Sequence, residues 1–196
     1  MSAPVQPRPL LLASVSPRRR ELLREAGYAF TMTEPPMEEP ETTHPHVSPE
    51  LHAESLAWFK ASSVAPAHAG ETILAADTIA TVDDEIIGKP ADREDARRIL
   101  QRLSDTDHEV MTGVALFSPA TSRRMLRHAI SRVRVRRLGA DEIESYLDTD
   151  LWQGKAGAYG IQDVGDDFVE HVEGSFSNVV GLPLELIESC FREWEA

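Results

Sequence analysis

The sequence has a single cysteine and no long apolar run. Cys190 has no second cysteine to pair with, and no cysteine set suggests a zinc framework, so a reducing cytoplasm is the expected compartment. The apolar run at residues 10–13 is too short for the core of a signal peptide, and no later run is long enough to span a bilayer. We therefore expect a cytoplasmic protein without a membrane segment.

Positive charge is also scarce. The chain's 33 acidic residues outnumber its 20 basic residues, and the formal net charge is −13, so the average surface repels polyanions. Long nucleic acids are therefore not expected as partners. The proportions of hydrophobic residues, 41%, and charged residues, 27%, are those of ordinary globular proteins and exclude collagen-like and low-complexity chains. The length of 196 residues fits one sizeable domain or two small lobes that share a core.

Strand and helix signals alternate along the chain. Ser16-Pro17 and Ser48-Pro49 each combine a helix-capping serine with a proline suited to the first helical position. Strands are predicted at residues 10–13, 28–32, 72–76, 78–82, 85–87, 108–117, 126–136 and 168–172, and helices follow Ser16, Ser48, Asp92, Ala140 and Leu182. We expect one α/β or α+β domain over residues 10–196, after an N-terminal extension at residues 1–9.

The first strand is joined to the first helix by a turn that suits an anion. The free amides at a helix start and the positive end of the helix dipole favour bound phosphate. Ser14 and Ser16 lie in this turn, and Arg18 and Arg19 add bidentate phosphate donors. A capped helix with solvated arginines is an equally good interpretation of the spacing alone.

Asp77 is the sharpest chemical signal, because it interrupts an apolar strand at residues 72–82. A buried carboxylate is costly unless a cation or a metal ion accompanies it. Glu38 and Glu39, in a proline-rich acidic loop, would complete a hard oxygen site for Mg²⁺ together with Asp77. The alternative is that Asp77 marks a strand end or bulge, and that the glutamates only keep the loop soluble.

Lys60 and Lys89 are two of the chain's three lysines. Lys60 is predicted to lie late in the second helix, and Lys89 is held between Gly88 and Pro90 in a stiff turn. Rigid placement suits phosphate binding, although exposure to solvent is the more usual situation for any single lysine.

Five segments, in this order, resemble the Maf family of nucleoside triphosphate pyrophosphatases. They are LASVSPRR at 12–19, ADTI at 76–79, GKP at 88–90, KAGAYGIQ at 155–162 and GSFSNVVGLP at 174–183. The resemblance extends in register over residues 10–190, which is far more specific than any one short motif.

The resemblance implies a two-lobed α/β fold, with a central mixed twisted sheet flanked by helices and a cleft between the lobes, similar to inosine triphosphatase. It also implies hydrolysis of a nucleoside triphosphate between its α and β phosphates, which yields the monophosphate and pyrophosphate. A divalent cation, Mg²⁺ or Mn²⁺, is the expected cofactor, and a cytoplasmic homodimer is the expected assembly.

The residue roles implied by the resemblance fall on the positions already described. Asp77 matches the proton acceptor, and Glu39 and Lys60 match the other two catalytic positions; Asp77 and Glu39 would also hold the metal. Because prolines precede the loop glutamates, Glu38 remains an alternative to Glu39, and the sequence does not decide whether Asp77 is base, ligand or both. The residues matched to substrate binding are Ser14, Ser16, Arg18, Arg19 and Lys89.

Three positions are expected to distinguish branches of the family. They read Arg18, Thr78 and Gln162 in this chain, which resembles the branch that acts on dTTP and UTP. The Gln162 amide has the groups to accept from N3–H and to donate to O4 of uracil or thymine.

Two alternative functions belong to other classes. Seven of the seventeen arginines lie within residues 123–137, which would suit a nucleic-acid-binding module, but the segment has no aromatic residue for base stacking. Alternation of arginines with Val133 and Val135 indicates instead a strand with one solvated face. The second alternative, which the resemblance to the Maf family implies, is a regulatory protein that acts on septum formation by interaction, since such an effect need not require catalysis. His44 and His46 lack a nearby third metal ligand and are expected to be solvated.

Overall fold

The structure is a computed structural model that describes residues 4–36, 47–161 and 167–196. Five residues singled out from the sequence lie outside these ranges: Glu38, Glu39, His44, His46 and Gln162. Within the three described ranges, no helix is long and apolar enough to cross a membrane.

In the described part of the chain, seven strands form one sheet. The strands are β1 (Leu10–Ala13), β2 (Thr31–Thr33), β3 (Thr72–Val82), β4 (Glu85–Ile87), β5 (Asp107–Ser118), β6 (Arg123–Val135) and β7 (Val169–Glu173). The helices are α1 (Pro17–Glu25), α2 (Pro49–Val64), α3 (Arg93–Leu103), α4 (Ala140–Leu147), α5 (Phe176–Val180) and α6 (Leu184–Glu195). Short 3₁₀ turns occur at Ala65–Ala67 and Ala156–Ala158.

The sheet is mixed, with the order β2-β1-β3-β5-β6-β7 and with β4 paired to β3. Strand β1 runs parallel to β2 and β3. All other pairs are antiparallel. Because parallel neighbours need a crossover, α1 connects β1 to β2 and α2 lies between β2 and β3 in the chain. The predicted strand–helix–strand opening is therefore confirmed.

Helix starts are the best-predicted local features. Ser16 accepts a hydrogen bond from the backbone N–H of Arg19, and Ser48 accepts one from Leu51. These bonds satisfy amide groups that have no partner inside the helix. Asp92 caps α3 in the same way.

Three local expectations need correction. Strand β3 is continuous through Asp77, because the carboxylate has a charged partner and the ladder to β5 is unbroken. The strand expected at residues 28–32 is shorter and begins at Thr31. Helix α5 was not predicted, although Ser175 caps it by accepting from the N–H of Asn178; with five residues, it is too short to show helical periodicity.

The two faces of the sheet are covered by different helices. On β1 and β3, Leu12 and Leu74 pack with α1 and α6. Their neighbours Leu11 and Ile73 pack with α2 on the opposite face. Side chains alternate between faces along a strand, so this register places Asp77 on the α2 face and Thr78 on the α1 face.

A further cluster packs α3 and α4 against the far ends of β3, β5 and β6. Together with the cluster around α1 and α6, it gives the chain two apolar lobes on a shared sheet. The predicted α/β class, with a central mixed sheet flanked by helices and a cleft between lobes, is confirmed.

Candidate active site

A cavity of about 920 Å³ lies where β3 lacks a neighbouring strand. On one edge, β3 pairs with β1 at residues 72–74 and with β4 at residues 80–82. Within the described part of the chain, no strand pairs with residues 75–79 on that edge. The opposite edge is paired to β5 over residues 73–81. The gap between β1 and β4 therefore leaves the middle of a firmly held strand facing an open space.

Asp77 lies at the centre of this gap and is 4% exposed. Its Oδ1 accepts a hydrogen bond from Lys60 Nζ, and the two side chains form an ion pair. Removing the Lys60 ammonium would leave the Asp77 carboxylate buried without this cation, which is strongly destabilising. The cation that the sequence required beside Asp77 is therefore present, and it comes from α2.

Gly113 explains how α2 comes close enough to deliver Lys60. It lies opposite Asp77 on β5, and a Cβ at Gly113 would be 2.2 Å from the carbonyl oxygen of Ala53. The backbone of α2 therefore rests directly on β5. Ala53, Ala57 and Lys60 are buried on one face of that helix, as their spacing of four and three residues requires.

Thr78 forms the next part of the wall, on the other face of β3. Its Oγ1 accepts from Arg19 Nη2 at 3.0 Å, while Arg19 Nε donates to the carbonyl of Gly181 at 2.8 Å. Gly181 has a φ of 120° and lies close to both Thr78 and Arg19. A side chain at this position would therefore be strained. The turn after α5 thereby holds the Arg19 guanidinium against the cavity.

The turn between β1 and α1 forms a third part of the wall. Ser14 Oγ accepts from the N–H of Ser16 at 3.1 Å. Ser14, Ser16 and Arg18 all line the cavity. The start of α1, with its positive dipole end, therefore faces the same space as Asp77 and Thr78.

A fourth part of the wall comes from Lys89 and from residues 154–156 and 159–161. The N–H of Gly157 donates to the carbonyl of Gly88 at 3.4 Å, which ties the two segments together. Tyr159 lines the cavity, and its hydroxyl lies 2.9 Å from His108 Nε2. Burial lowers the pKa of His108 to about 4 and raises the pKa of Tyr159 above its usual value. The imidazole is therefore neutral at pH 7.

The cavity gathers residues that are far apart in sequence. Of the predicted site residues, those within the described part of the chain all line it: Ser14, Ser16, Arg18, Arg19, Lys60, Asp77, Thr78 and Lys89. Sequence reasoning missed Gly113, His108 and Tyr159. Tyr159 lies within the segment at 155–162 that carried the resemblance, so that segment was the signal available for it.

The donor set of the cavity is compatible with a hard divalent cation. Asp77 and Glu34 are the acidic residues among its described lining, and Mg²⁺ is usually held by one or two carboxylates together with substrate phosphates. Among the residues that the structure describes, no group of three or more histidine, cysteine, aspartate or glutamate side chains is arranged to hold a metal ion.

The predicted alternative, the arginine-rich segment at residues 123–137, lies outside this cavity. The alternation expected there is confirmed, since Ser131, Val133 and Val135 are buried and Arg132 is exposed. Several of its arginines form ion pairs with acidic side chains.

Comparisons with known proteins agree on one family. The profile of the Maf family, described as Maf-like protein, matches residues 9–194. The dTTP/UTP pyrophosphatase of Desulforamulus reducens is 36% identical, with 94% of this chain and 96% of that protein covered. The corresponding figures are 40%, 94% and 98% for the dTTP/UTP pyrophosphatase of Bdellovibrio bacteriovorus, and 42%, 91% and 91% for that of Pyrococcus furiosus.

Among solved structures, a HAM1 protein from Coxiella burnetii aligns with a TM-score of 0.49 and 16% identity, over 94% of this chain and 98% of that one. The profile match covers almost the whole chain, and the relatives share more than a third of its residues over nearly their full length. The chain belongs to the Maf family.

Proposed function

We propose that this protein hydrolyses dTTP and UTP between the α and β phosphates and releases the nucleoside monophosphate and pyrophosphate. The observation that carries the proposal is the buried ion pair of Asp77 and Lys60 in the wall of a cavity that also holds Arg18, Arg19 and Lys89. Relatives at 35–43% identity that bear the name dTTP/UTP pyrophosphatase support the same reaction.

The cavity suits a nucleoside triphosphate in size and charge. Its volume of about 920 Å³ is within the range of small-molecule sites. The triphosphate would lie against the turn of Ser14 and Ser16, where the start of α1 favours an anion. Arg18, Arg19 and Lys89, which also line the cavity, supply further positive charge. A chain of net charge −13 can therefore still bind an anionic substrate locally.

Asp77 is the proposed base. Lys60 Nζ holds Oδ1, and the other carboxylate oxygen accepts a proton from the attacking water. The water oxygen bonds to the α-phosphorus while the bond from that phosphorus to the α–β bridging oxygen breaks. Pyrophosphate leaves with the bridging oxygen and its electron pair, and the basic side chains balance the charge that develops on the phosphates.

A divalent cation, Mg²⁺ or Mn²⁺, is the proposed cofactor. Asp77 would hold it together with a loop glutamate, Glu39 or its neighbour Glu38, and Glu34 lines the same cavity. When bound, the cation neutralises phosphate charge and polarises the phosphoryl oxygens.

Base selection is assigned to Arg18, Thr78 and Gln162. For the glutamine, the proposed reading is a pair of hydrogen bonds to N3–H and O4 of uracil or thymine. A Gln162→Glu variant loses the donor to O4, so its preference for UTP over CTP should fall. An unchanged ratio of kcat/KM for the two nucleotides would contradict this assignment.

A homodimer in the cytoplasm is also proposed, on the strength of the family resemblance. Sedimentation equilibrium of the purified protein tests the assembly: a mass near twice the 21.7 kDa of one chain is expected, and a mass of one chain would contradict it.

The decisive experiment incubates pure protein with dTTP, UTP, CTP, dATP and GTP, with and without Mg²⁺ or Mn²⁺. Products are identified by ion-exchange chromatography. We expect monophosphate and pyrophosphate from dTTP and UTP, and turnover only with the cation. Release of orthophosphate and a nucleoside diphosphate instead, or no turnover of any triphosphate, would overturn the proposed reaction.

A further inference from the structure

A chain of hydrogen bonds runs from the cavity wall into the interior of the protein. It begins at Arg19 and passes through Thr78 on β3 to Thr112 on β5, which lies directly opposite Thr78. From Thr112 it continues to the backbone carbonyl of Asn178 in α5. Thr112 is fully buried and is not itself a cavity-lining residue, and the mechanism proposed above does not use it.

The donors and acceptors of this chain have one consistent direction. A threonine hydroxyl has a single proton to donate. Thr112 donates its proton to the carbonyl oxygen of Asn178 at 3.2 Å, so its oxygen accepts from the Thr78 hydroxyl at 2.9 Å. The lone pairs of Thr78 are then left to accept from Arg19 Nη2 at 3.0 Å.

Thr112 also prevents a competing arrangement. The Thr78 hydroxyl has a second acceptor, the carbonyl of Gly181, but at the longer distance of 3.4 Å. That carbonyl already accepts from Arg19 Nε at 2.8 Å. Without Thr112, the Thr78 hydroxyl would donate to the Gly181 carbonyl and would compete with Arg19 Nε for that acceptor.

The far end of this hydrogen-bond chain, at Asn178, is held in place by further hydrogen bonds. Asn178 Nδ2 donates to the carbonyl of Val110 at 2.9 Å and to Ser131 Oγ at 3.0 Å. Ser131 in turn donates to the carbonyl of Ser175 at 2.9 Å. All bonds of this clamp are buried or part-buried, so α5 is held on β5 and β6 at both its start and its middle.

We infer that Thr112 is a positioning residue for substrate selection: it fixes the direction of the Thr78 hydroxyl, and through it the Arg19 guanidinium, on the cavity wall. The inference rests on the proposed function, because Thr78 is one of the positions assigned to base selection and Arg19 is assigned to phosphate binding.

Thr112→Val tests this role, since valine keeps the shape of threonine and removes only the hydroxyl. We expect kcat/KM for UTP to fall about tenfold, the effect of losing one hydrogen bond that orients a charged group. Most of this loss should be in KM, with kcat within about twofold of wild type. The preference for UTP over CTP should fall as well.

Two further variants separate positioning from packing. Thr112→Ser restores the hydroxyl and should recover the wild-type KM and preference. Thr81→Val is the matched control, because Thr81, on β3, is a buried threonine like Thr112 but is not part of this hydrogen-bond chain, and it should behave as wild type. Thr112→Ala provides a second hydroxyl-free variant should the valine variant not fold, with the same expected rise in KM.

Binding of a non-hydrolysable UTP analogue, measured by titration calorimetry, distinguishes failure of this inference from failure of the proposed reaction. A Thr112→Val variant with wild-type affinity, KM and preference would overturn the inference, as would an equal defect in Thr112→Ser. If wild type binds the analogue but turns over no triphosphate, the proposed reaction fails, and the affinities of the variants still decide the role of Thr112. If wild type does not bind the analogue, both are overturned.

Discussion

Two groups of basic residues in this protein differ in their surroundings. Lys60 and Arg19 in the cavity wall are each 9% exposed and are held by buried or part-buried partners. The arginines of residues 123–137 lie along β6 or just beyond its end, and the side chain of Arg132, on the face opposite Val133, is 61% exposed. The sequence shows a denser run of positive charge in the second group, but the cavity is formed by the first.

The arginines of β6 are balanced by carboxylates on neighbouring elements. Arg134 pairs with Asp105 and with Asp107, the latter at 3.4 Å. Arg136 pairs with Glu142, whose hydrogen bond from the guanidinium lowers the pKa of that carboxyl. Exposed pairs of this kind contribute only about 0–1 kcal/mol each to stability.

The same segment also uses its arginines for packing. Arg123 lies over the ring of Trp194 at 4.5 Å from the centroid, and Arg124 lies over Trp58 at 5.4 Å. The difference between the two regions shows that a cluster of cations indicates an anion site only where the fold gathers the cations around a cleft and leaves few carboxylates beside them.

The largest expected effect is on turnover in the cavity. Asp77→Asn keeps the shape of the side chain but removes the base, so kcat for UTP should fall by about 10²–10⁴-fold. Glu142→Gln is the matched control, since Glu142 on α4 pairs with Arg136 of the arginine-rich segment and neither residue lines the cavity, and its kcat should be that of wild type. Steady-state release of pyrophosphate measures both, and full activity in Asp77→Asn would remove Asp77 from the chemistry.

The second effect is on stability. Lys60→Met leaves the carboxylate of Asp77 buried without its cation, so the free energy of unfolding should fall by about 3–5 kcal/mol. The equivalent change on β6, Arg134→Met, should cost at most about 1 kcal/mol. Urea unfolding followed by circular dichroism gives both values. Equal losses in the two variants would contradict the difference in surroundings described above.

The third effect is on the pH dependence of stability. It arises at His108 on β5, the strand that lies between β3 and β6 in the sheet. Burial lowers the pKa of His108 in the folded protein from 6.5 to about 4. The unfolded chain therefore takes up the proton first as pH falls below about 6.5, and stability is lost progressively down to about pH 4. Between pH 7 and pH 4.5, His108 should account for a loss of about 2–3 kcal/mol.

His108→Gln removes the titrating group and should reduce the pH dependence of unfolding over that interval, whatever its stability at pH 7. A His108→Gln variant that loses as much stability on acidification as wild type does would show that other groups carry the effect.

Local signals explain what the sequence could predict. The caps at Ser16, Ser48 and Asp92 depend on neighbours three residues away, and the alternation along β6 depends on a period of two. Asp77 stood out because a carboxylate in an apolar strand needs a partner wherever the strand lies. These parts of the fold and site follow from chemistry within a few residues.

The remaining parts depend on pairings between distant segments. Asp77 meets Lys60 because Gly113, from a different strand, lets α2 approach the sheet. The gap that opens the cavity follows from where β1 ends and β4 begins along β3, a register that no single segment encodes. Helix α5 is too short for periodicity, and its role becomes visible only through Thr112 and the carbonyl of Asn178.

The smallest expected effect is on activity when the charge of β6 is changed. Arg132→Glu reverses a charge on an exposed side chain whose carboxylate partner, Glu109, is 3.8 Å away, and kcat/KM for UTP should stay within about twofold of wild type. The predicted absence of nucleic-acid binding is tested in the same preparation, with fluorescently labelled single- and double-stranded DNA at several salt concentrations. Because binding through arginines would displace counterions, it would weaken steeply as salt rises. If wild type binds DNA with that salt dependence and Arg132→Glu does not, β6 is a functional surface. The difference drawn here between β6 and the cavity would then be wrong.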